Sequence, residues 1–182
     1  LPRANVAAGR ICEVLEMEPS VNDPEDPVRP DKQEKGTVEF DHVSFAYPEA
    51  GENVINDITF KAKKGETVAI IGSTGSGKST LINLIPRFYD VTKGCVKVDG
   101  VDVRDMTQHD LRDRIGYVPQ KGVLFSGTID SNIRYGKPEM SQEDVKLAAE
   151  IAQSDDFIEA KPEGYHALIS QGGTNVSGGQ KQ

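Results

Sequence analysis

Gly72-Ser-Thr-Gly-Ser-Gly-Lys78-Ser79-Thr80 is the most informative segment of this 182-residue chain about its fold. It fits Gly-x-x-x-x-Gly-Lys-Ser, in which the glycines let backbone N–H groups turn inward around phosphate oxygens. Residues 67–71, just before it, are apolar and β-branched and predict a buried strand. The residues with helical spacing after it are Leu81, Ile82, Leu84, Ile85 and Phe88. Since a flexible glycine–serine connector would need neither the lysine nor these flanking elements, the stretch predicts a strand, a phosphate-binding loop and a helix.

The loop has a predicted role for each of its polar groups on a nucleoside triphosphate. The Lys78 ammonium should reach the β- and γ-phosphates, and the Ser79 hydroxyl should ligate Mg²⁺. The following helix would direct its partial positive end at the same anion. The candidate nucleotide-binding residues of the loop are Gly72, Ser73, Thr74, Gly75, Ser76, Gly77, Lys78, Ser79 and Thr80.

The composition narrows the classes of function. The 29 acidic and 21 basic residues give a net charge of −8, and no basic cluster is visible, which argues against a nucleic-acid partner. Cys12 and Cys95, the two cysteines, are far apart and not in metal-ligand spacing, as expected of free thiols in a reducing compartment. No apolar run approaches the ~18 residues that a membrane helix needs.

Before the loop, the pattern predicts a helix, a linker and antiparallel strands. Residues 1–18 have helical spacing and Pro19 is expected to end the helix. Prolines among acidic residues then predict a stiff, extended linker that is not packed. Alternating apolar residues between Val38 and Phe60 predict antiparallel strands, with a bulge or a tight turn at Asp41-His42.

After the loop, the pattern changes from strands to helices. Asp99-Gly100 between two apolar runs predicts a hairpin, and residues 115–118 predict a further strand. Beyond Gln120 the pattern is helical. The candidate helix N-caps are Thr107, Thr128 and Ser141. The predicted apolar face of the last of these helices consists of Val145, Ala148, Ala149, Ile151 and Ala152.

A second motif, Val176-Ser-Gly-Gly-Gln-Lys-Gln182, closes the chain, and Tyr117-Val-Pro-Gln120 lies between it and the loop. In this order, from Val38 to Gln182, the motifs resemble the nucleotide-binding domain of ATP-binding cassette (ABC) transporters. The resemblance implies an α/β fold with a P-loop NTPase core. Its parts would be an antiparallel β subdomain (37–66), the core (67–120) and a helical subdomain (121–182) that ends in the signature motif, residues 176–182.

The resemblance also implies roles outside the loop. Tyr47 matches the aromatic residue that stacks on adenine; the alternative is an ordinary tyrosine at a strand edge. Gln120 matches the glutamine that reaches Mg²⁺ and the attacking water. In this family the signature closes over ATP held by the loop of a second cassette, in a head-to-tail dimer. The residues that would contact ATP in this way are Ser177, Gly178, Gly179 and Gln180. ATP and Mg²⁺ are the implied cofactors.

Two further segments resemble exporters that fuse membrane and ATPase parts in one polypeptide: Leu124–Gly136 and residues 1–19. Residues 1–19 would be the cytosolic extension of the last transmembrane helix and 20–36 the linker; an amphipathic surface helix is the alternative. The implied function is ATP binding and hydrolysis, with ATP-dependent dimerisation driving multidrug or lipid-type export. The implied partners are a second cassette, identical or different, and the chain's own transmembrane domain at the cytoplasmic face of the cell membrane.

The chain departs from the family pattern in two places. No apolar strand ending in Asp, catalytic carboxylate or switch histidine follows the loop, so no general base can be named. We therefore expect a core without its C-terminal part, an exposed sheet edge and no ATP turnover by these residues alone. Ser170-Gln-Gly-Gly173 replaces the Gly-Glu-Arg-Gly of exporters with two equivalent sites. This favours, as an alternative, a non-hydrolysing or degenerate-site subunit of an asymmetric heterodimeric exporter. The acidic charge and the N-terminal helix argue against a soluble cassette protein of DNA repair or translation.

Overall fold

The computed structural model describes residues 2–30, 35–48 and 50–182. The chain consists of two units, Leu1–Gly116 and Tyr117–Gln182. The predicted mixture of helices and strands, with an antiparallel sheet in the N-terminal part, is confirmed. Among the described residues, no helix is long and apolar enough to cross a membrane.

A four-stranded antiparallel sheet, in the order β2-β1-β3-β4, organises the first unit. Its strands are β1 (Val38–Phe45), β2 (Ile55–Ala62), β3 (Lys93–Val98) and β4 (Val101–Asp102). The pairing of β1 with β2 shifts between Phe40 and Val43, and His42 has a φ of +49°. Of the two structures predicted at Asp41-His42, the bulge is therefore the one that forms. Asp99 and Gly100, with φ of +53° and +80°, make the predicted hairpin turn between β3 and β4.

One face of this sheet packs on the helix that follows the loop, α2 (Lys78–Leu84). Leu81 and Leu84 are buried side chains of this helix. In the sheet, the Phe40 ring of β1 stacks on the Phe60 ring of β2, with ring centroids 4.7 Å apart. The buried core contains Phe40, Val43, Phe45, Ile55, Leu81, Leu84, Val96, Val98, Val103, Met106 and Leu111.

Two predicted strands are wrong. Residues 67–71 and 115–118 have no regular secondary structure, and no described residue pairs with them in a ladder. Ile70 still packs against the core, but Ile71 is 92% exposed. A strand is stabilised by hydrogen bonds to a neighbouring strand, so a β-branched apolar run does not form one without a partner.

The helices of the first unit are shorter than predicted. Helix α1 covers Pro2–Leu15 and ends before Pro19, and its side chains from Val6 onward are exposed. Helix α2 ends at Leu84, so Ile85 and Phe88 lie in the turn beyond it, where Arg87 has a φ of +54°.

The linker has no helix or strand between 19 and 30, as predicted, but it is bonded to the unit. The Val28 N–H donates to the Asp105 carbonyl at 2.7 Å, and the Gln108 N–H donates to the Asp23 carboxylate at 2.8 Å. The linker is thus extended and mostly exposed, as predicted, and these hydrogen bonds tie it to the unit at two points. Gln108 begins helix α3 (Gln108–Arg112), which Thr107 caps as predicted.

The second unit contains short helices around a two-stranded ribbon of β5 (Gly127–Thr128) and β6 (Leu168–Ile169). Its helices are α4 (Ile129–Ile133), α5 (Gln142–Ile151), α6 (Asp155–Glu159), α7 (Gly178–Lys181) and the 3₁₀ turns Gly164–His166 and Gln171–Gly173. Thr128 and Ser141 form capping boxes, which confirms both predicted N-caps. The predicted apolar face of α5 is buried only in part, because Ile151 is 74% exposed. The small core of this unit consists of Ile129, Ala149, Ile158, Ala167 and Ile169.

Candidate nucleotide-binding site

The glycine loop adopts a conformation that only glycine tolerates well at two of its positions. Gly75 and Gly77 have φ of +82° and +86°, and Gly77 is the N-cap of α2. A Cβ on Gly77 would lie 2.9 Å from Ile55 Cδ1 and 3.2 Å from the Val54 carbonyl oxygen. Conformation and packing against the start of β2 therefore both require glycine at this position.

Lys78 lies folded over the loop. Its Nζ donates to the carbonyl oxygens of Gly72 at 2.9 Å and Ser73 at 2.7 Å. Both acceptors are neutral, so these bonds hold the ammonium in place without cancelling its charge. Ser79 and Thr80 follow it in the first turn of α2. The loop thus places the Lys78 ammonium, two glycines with positive φ and the start of a helix within a single short segment.

Tyr47 lies just after β1 and is bonded to the same helix. Its hydroxyl is 2.9 Å from Thr80 Oγ1, and Thr80 is only 7% exposed. The half-buried Tyr47 ring makes edge contacts with Phe45 and Tyr89, at centroid distances of 4.9 Å and 5.2 Å. The structure therefore places Tyr47 and the phosphate-loop helix together. No pattern in the sequence indicates the Tyr47–Thr80 bond, which joins residues of two separate motifs.

The remaining predicted site residues belong to the second unit. Gln120 is exposed in a segment without regular secondary structure. Ser177 is the N-cap of α7: its hydroxyl accepts from the Gln180 N–H at 3.3 Å, and Gln180 Oε1 accepts from the Ser177 N–H at 2.9 Å. A Cβ on Gly178 or Gly179 would meet no atom within 4 Å. Packing within this unit therefore does not require either glycine.

The donor set suits Mg²⁺ bound together with a nucleotide rather than a metal held by the protein alone. Among the described residues, no group of three or more His, Cys, Asp and Glu side chains could hold a metal ion. Mg²⁺ usually keeps several waters and binds through a few protein oxygens plus substrate phosphates. The hydroxyl of Ser79, next to the loop lysine, fits that requirement.

Comparisons with known proteins agree with this geometry. A family model described as ABC transporter matches residues 55–182. The multidrug efflux ATP-binding/permease protein Rv0194 of Mycobacterium tuberculosis is 41% identical over 180 residues, which are 99% of this chain and 15% of that protein. YfiB of Bacillus subtilis, an uncharacterized ABC transporter ATP-binding protein, is 45% identical over 188 residues, with 99% of this chain and 31% of that protein covered.

A solved structure shows the same fold. The structure of a bacterial Atm1-family ABC exporter with ATP bound matches with a TM-score of 0.88 and 35% sequence identity, over 99% of this chain and 31% of that one. The chain therefore spans less than a third of the length of these proteins.

Proposed function

Because this chain belongs to the ABC transporter family, we propose that it is the nucleotide-binding domain of an exporter, which binds ATP and, in the intact transporter, hydrolyses it. The observation that carries the proposal is the loop conformation with Lys78 held above it. When a triphosphate enters, the Lys78 ammonium exchanges two neutral carbonyls for phosphate oxygens, which are stronger, charge-assisted partners. The N–H groups at the start of α2 would face the same anion.

The hydrolytic roles follow the resemblance residue by residue. Ser79 would help to hold Mg²⁺, which would supply charge neutralisation at the phosphates, and Gln120 would orient the attacking water and contact the same ion. Phosphoryl transfer depends mainly on such positioning and on charge neutralisation. Tyr47 would stack on the base, and its bond to Thr80 would fix the ring relative to the loop.

The open space around the signature glycines supports a role across a dimer. Packing within their own unit does not require glycine at positions 178 and 179. A backbone without side chains allows another molecule to approach closely. The Ser177 oxygen caps α7, and among the described residues its hydroxyl has no acceptor, so its hydrogen would be available to an anion. We propose that these residues and Gln180 contact ATP held by a second cassette, head to tail. ATP binding and hydrolysis would then join and release the two halves.

We further propose that the partner of this domain is a transmembrane domain of the same transporter, so that the chain acts at the cytoplasmic face of the membrane. Exposed apolar residues of α1 support this, because a helix that continues a membrane helix packs against other parts of the transporter. These residues are Val6, Ile11, Val14 and Leu15.

A degenerate-site subunit of a heterodimeric exporter is the second candidate. The segment before the signature forms a neutral network, in which Asn175 Oδ1 accepts from the Ser170 N–H and hydroxyl. Lys181 Nζ donates to the Gly172 carbonyl at 2.9 Å. This segment provides polar contacts without the charge pair of symmetric exporters.

Calorimetric titration of MgATP into the chain tests the proposal. We expect Lys78→Ala to abolish binding and Lys146→Ala, at an exposed lysine of α5, to leave it unchanged. Equal affinities of the unmodified chain and Lys78→Ala would refute the assignment of the loop.

A further inference from the structure

Residues 21–28 of the linker, here called the strap, are fixed to the first unit at both ends. At one end, the Asp23 carboxylate accepts from the Gln108 N–H at 2.8 Å, and the Val21 carbonyl accepts from Gln108 Nε2 at 3.4 Å. At the other end, the Val28 N–H donates to the Asp105 carbonyl at 2.7 Å. The strap therefore spans the loop that leads into α3.

From Gln108 a first route of hydrogen bonds continues to the end of the phosphate-loop helix. Gln108 Oε1 accepts from Arg112 Nη2 at 3.0 Å. Arg112 also donates through Nε to the Pro86 carbonyl at 3.2 Å and through Nη2 to the Arg87 carbonyl at 3.4 Å. Its guanidinium carbon lies 5.4 Å from the centroid of the Phe88 ring. One side chain thus contacts three consecutive residues of the turn after α2.

A second route reaches the same turn from the other end of the strap. Asp105, which accepts from Val28, follows Arg104, and the Arg104 carbonyl accepts from Arg87 Nη1 at 3.5 Å. Arg87 is 4% exposed and is paired through Nε with Asp90 at 2.7 Å. Both routes therefore converge on residues 86–88.

This turn is mechanically close to the phosphate loop. Helix α2 begins at Lys78 and ends at Leu84, and seven residues of helix span only ~10 Å. A packed helix this short moves as one piece, so a shift of the turn shifts Lys78 and Ser79 with it. Coupling between distant sites is carried by such contiguous bonds and rigid elements.

We propose that Gln108 and Arg112 are positioning residues of the phosphate loop, and that through them the strap is coupled to nucleotide binding. The inference rests on the proposed function, because it assigns a regulatory input to the same loop. The strap follows α1 in the chain, so the N-terminal helix leads directly into the coupled segment. Coupling of this kind is reciprocal: if the strap favours nucleotide binding, the nucleotide holds the strap more firmly.

The test combines MgATP affinity, measured by calorimetry, with amide hydrogen exchange at Val28 and Gln108. The variants are Asp23→Ala, Arg112→Lys and the two combined, with Asp26→Ala, an exposed acidic residue of the same strap, as the matched control. We expect each single change to weaken MgATP binding about threefold to tenfold. The double variant should bind MgATP with about the same affinity as the single variant that binds it less tightly, because both changes interrupt one route.

Hydrogen exchange gives the reciprocal readout. MgATP should slow exchange of the Val28 and Gln108 amides in the unmodified chain, and the slowing at Gln108 should disappear in Arg112→Lys. If Arg112→Lys does not fold, Gln108→Ala interrupts the same route and leaves Arg112 on the Pro86 carbonyl.

Two results would overturn the inference, and they differ from each other. Variants that lower the thermal midpoint but keep normal affinity and normal nucleotide-dependent exchange would show a purely structural network, and the proposed function would stand. Absence of Lys78-dependent MgATP binding in the unmodified chain would instead refute the proposed function itself.

Discussion

Variants of Tyr47 can separate the effect of its ring on nucleotide binding from the effect of its hydroxyl on stability. Tyr47→Phe removes the hydroxyl that lies 2.9 Å from Thr80 Oγ1 and leaves the ring contacts with Phe45 and Tyr89. Thr80 is 7% exposed, so its hydroxyl loses a partner that water replaces poorly. We expect the free energy of unfolding to fall by about 1–2 kcal/mol. ATP affinity should stay within about twofold, because stacking needs the ring and not the hydroxyl.

Tyr47→Ala removes both the ring that would stack on the base and the hydroxyl that bonds Thr80. The loss of the base stack should weaken ATP binding by ~1–3 kcal/mol, which is about fivefold to 150-fold in Kd. GTP should bind about as well as ATP to the unmodified chain, since no hydrogen-bonding pocket for adenine is evident in the sequence. Urea denaturation gives the stabilities, and titration with ATP and GTP gives the affinities.

Thr80→Val is the matched partner for a double-mutant cycle with Tyr47→Phe. If the two hydroxyls bond each other, the destabilisation in the double variant should be smaller than the sum of the single losses. Two outcomes would contradict the assignment. A loss of ATP affinity in Tyr47→Phe as large as in Tyr47→Ala would show that the hydroxyl, not the ring, contacts the nucleotide. A strong preference for ATP over GTP would reveal a base-reading contact.

Three further predictions concern stability and turnover. The Asp99 carboxylate is 4% exposed and accepts from the Gly36 N–H at 2.6 Å and from Arg114 Nη1 at 3.1 Å. Asp99→Asn keeps a side chain suited to positive φ but weakens these charge-assisted bonds. It should therefore lower the free energy of unfolding, measured by urea denaturation, by about 2 kcal/mol. The Asp57 carboxylate, 2.7 Å from His42 Nδ1, raises the pKa of His42 by hydrogen bonding and charge. The stability from this pair is therefore complete below the unfolded pKa of about 6.5 and is lost as the pH rises through the higher folded pKa. The stability difference between the unmodified chain and His42→Asn should shrink from pH 6 to pH 8; a constant difference would exclude the pair as the source. Finally, phosphate release from MgATP by the 182-residue chain should not exceed that of a Lys78→Ala preparation, because no carboxylate in the sequence follows an apolar strand in the family's pattern; Lys78-dependent release would reveal an unidentified base.

Features encoded by neighbouring residues could be predicted from the sequence. The hairpin at Asp99-Gly100 forms because both residues accept positive φ, and the N-caps at Thr107, Thr128 and Ser141 form because each hydroxyl reaches an N–H three residues on. The phosphate loop belongs to this class, since its glycines and lysine lie within one short stretch.

Features that need a partner far away in sequence could not be predicted in this way. The runs 67–71 and 115–118 have the composition of buried strands, but backbone groups pair only where a neighbouring strand is present. The linker is extended, as its prolines and acidic residues predict, but the sequence near Asp23 does not indicate that its carboxylate accepts a hydrogen bond from the Gln108 N–H. In both cases the outcome depends on residues far away in sequence.

Gly77 shows how the two kinds of information meet in the nucleotide site. The motif predicts glycine there from local geometry, and its φ of +86° agrees. The same position also faces Ile55, the first residue of β2 in the antiparallel sheet, and the carbonyl of Val54, which precedes that strand. A Cβ at this position would therefore strain the loop and push it away from the sheet at once. The phosphate loop is thus positioned from one side by the start of β2 and, through Arg112, from the turn at the far end of α2. Its affinity for nucleotide should respond to changes at either end, although only the loop itself was visible as a motif.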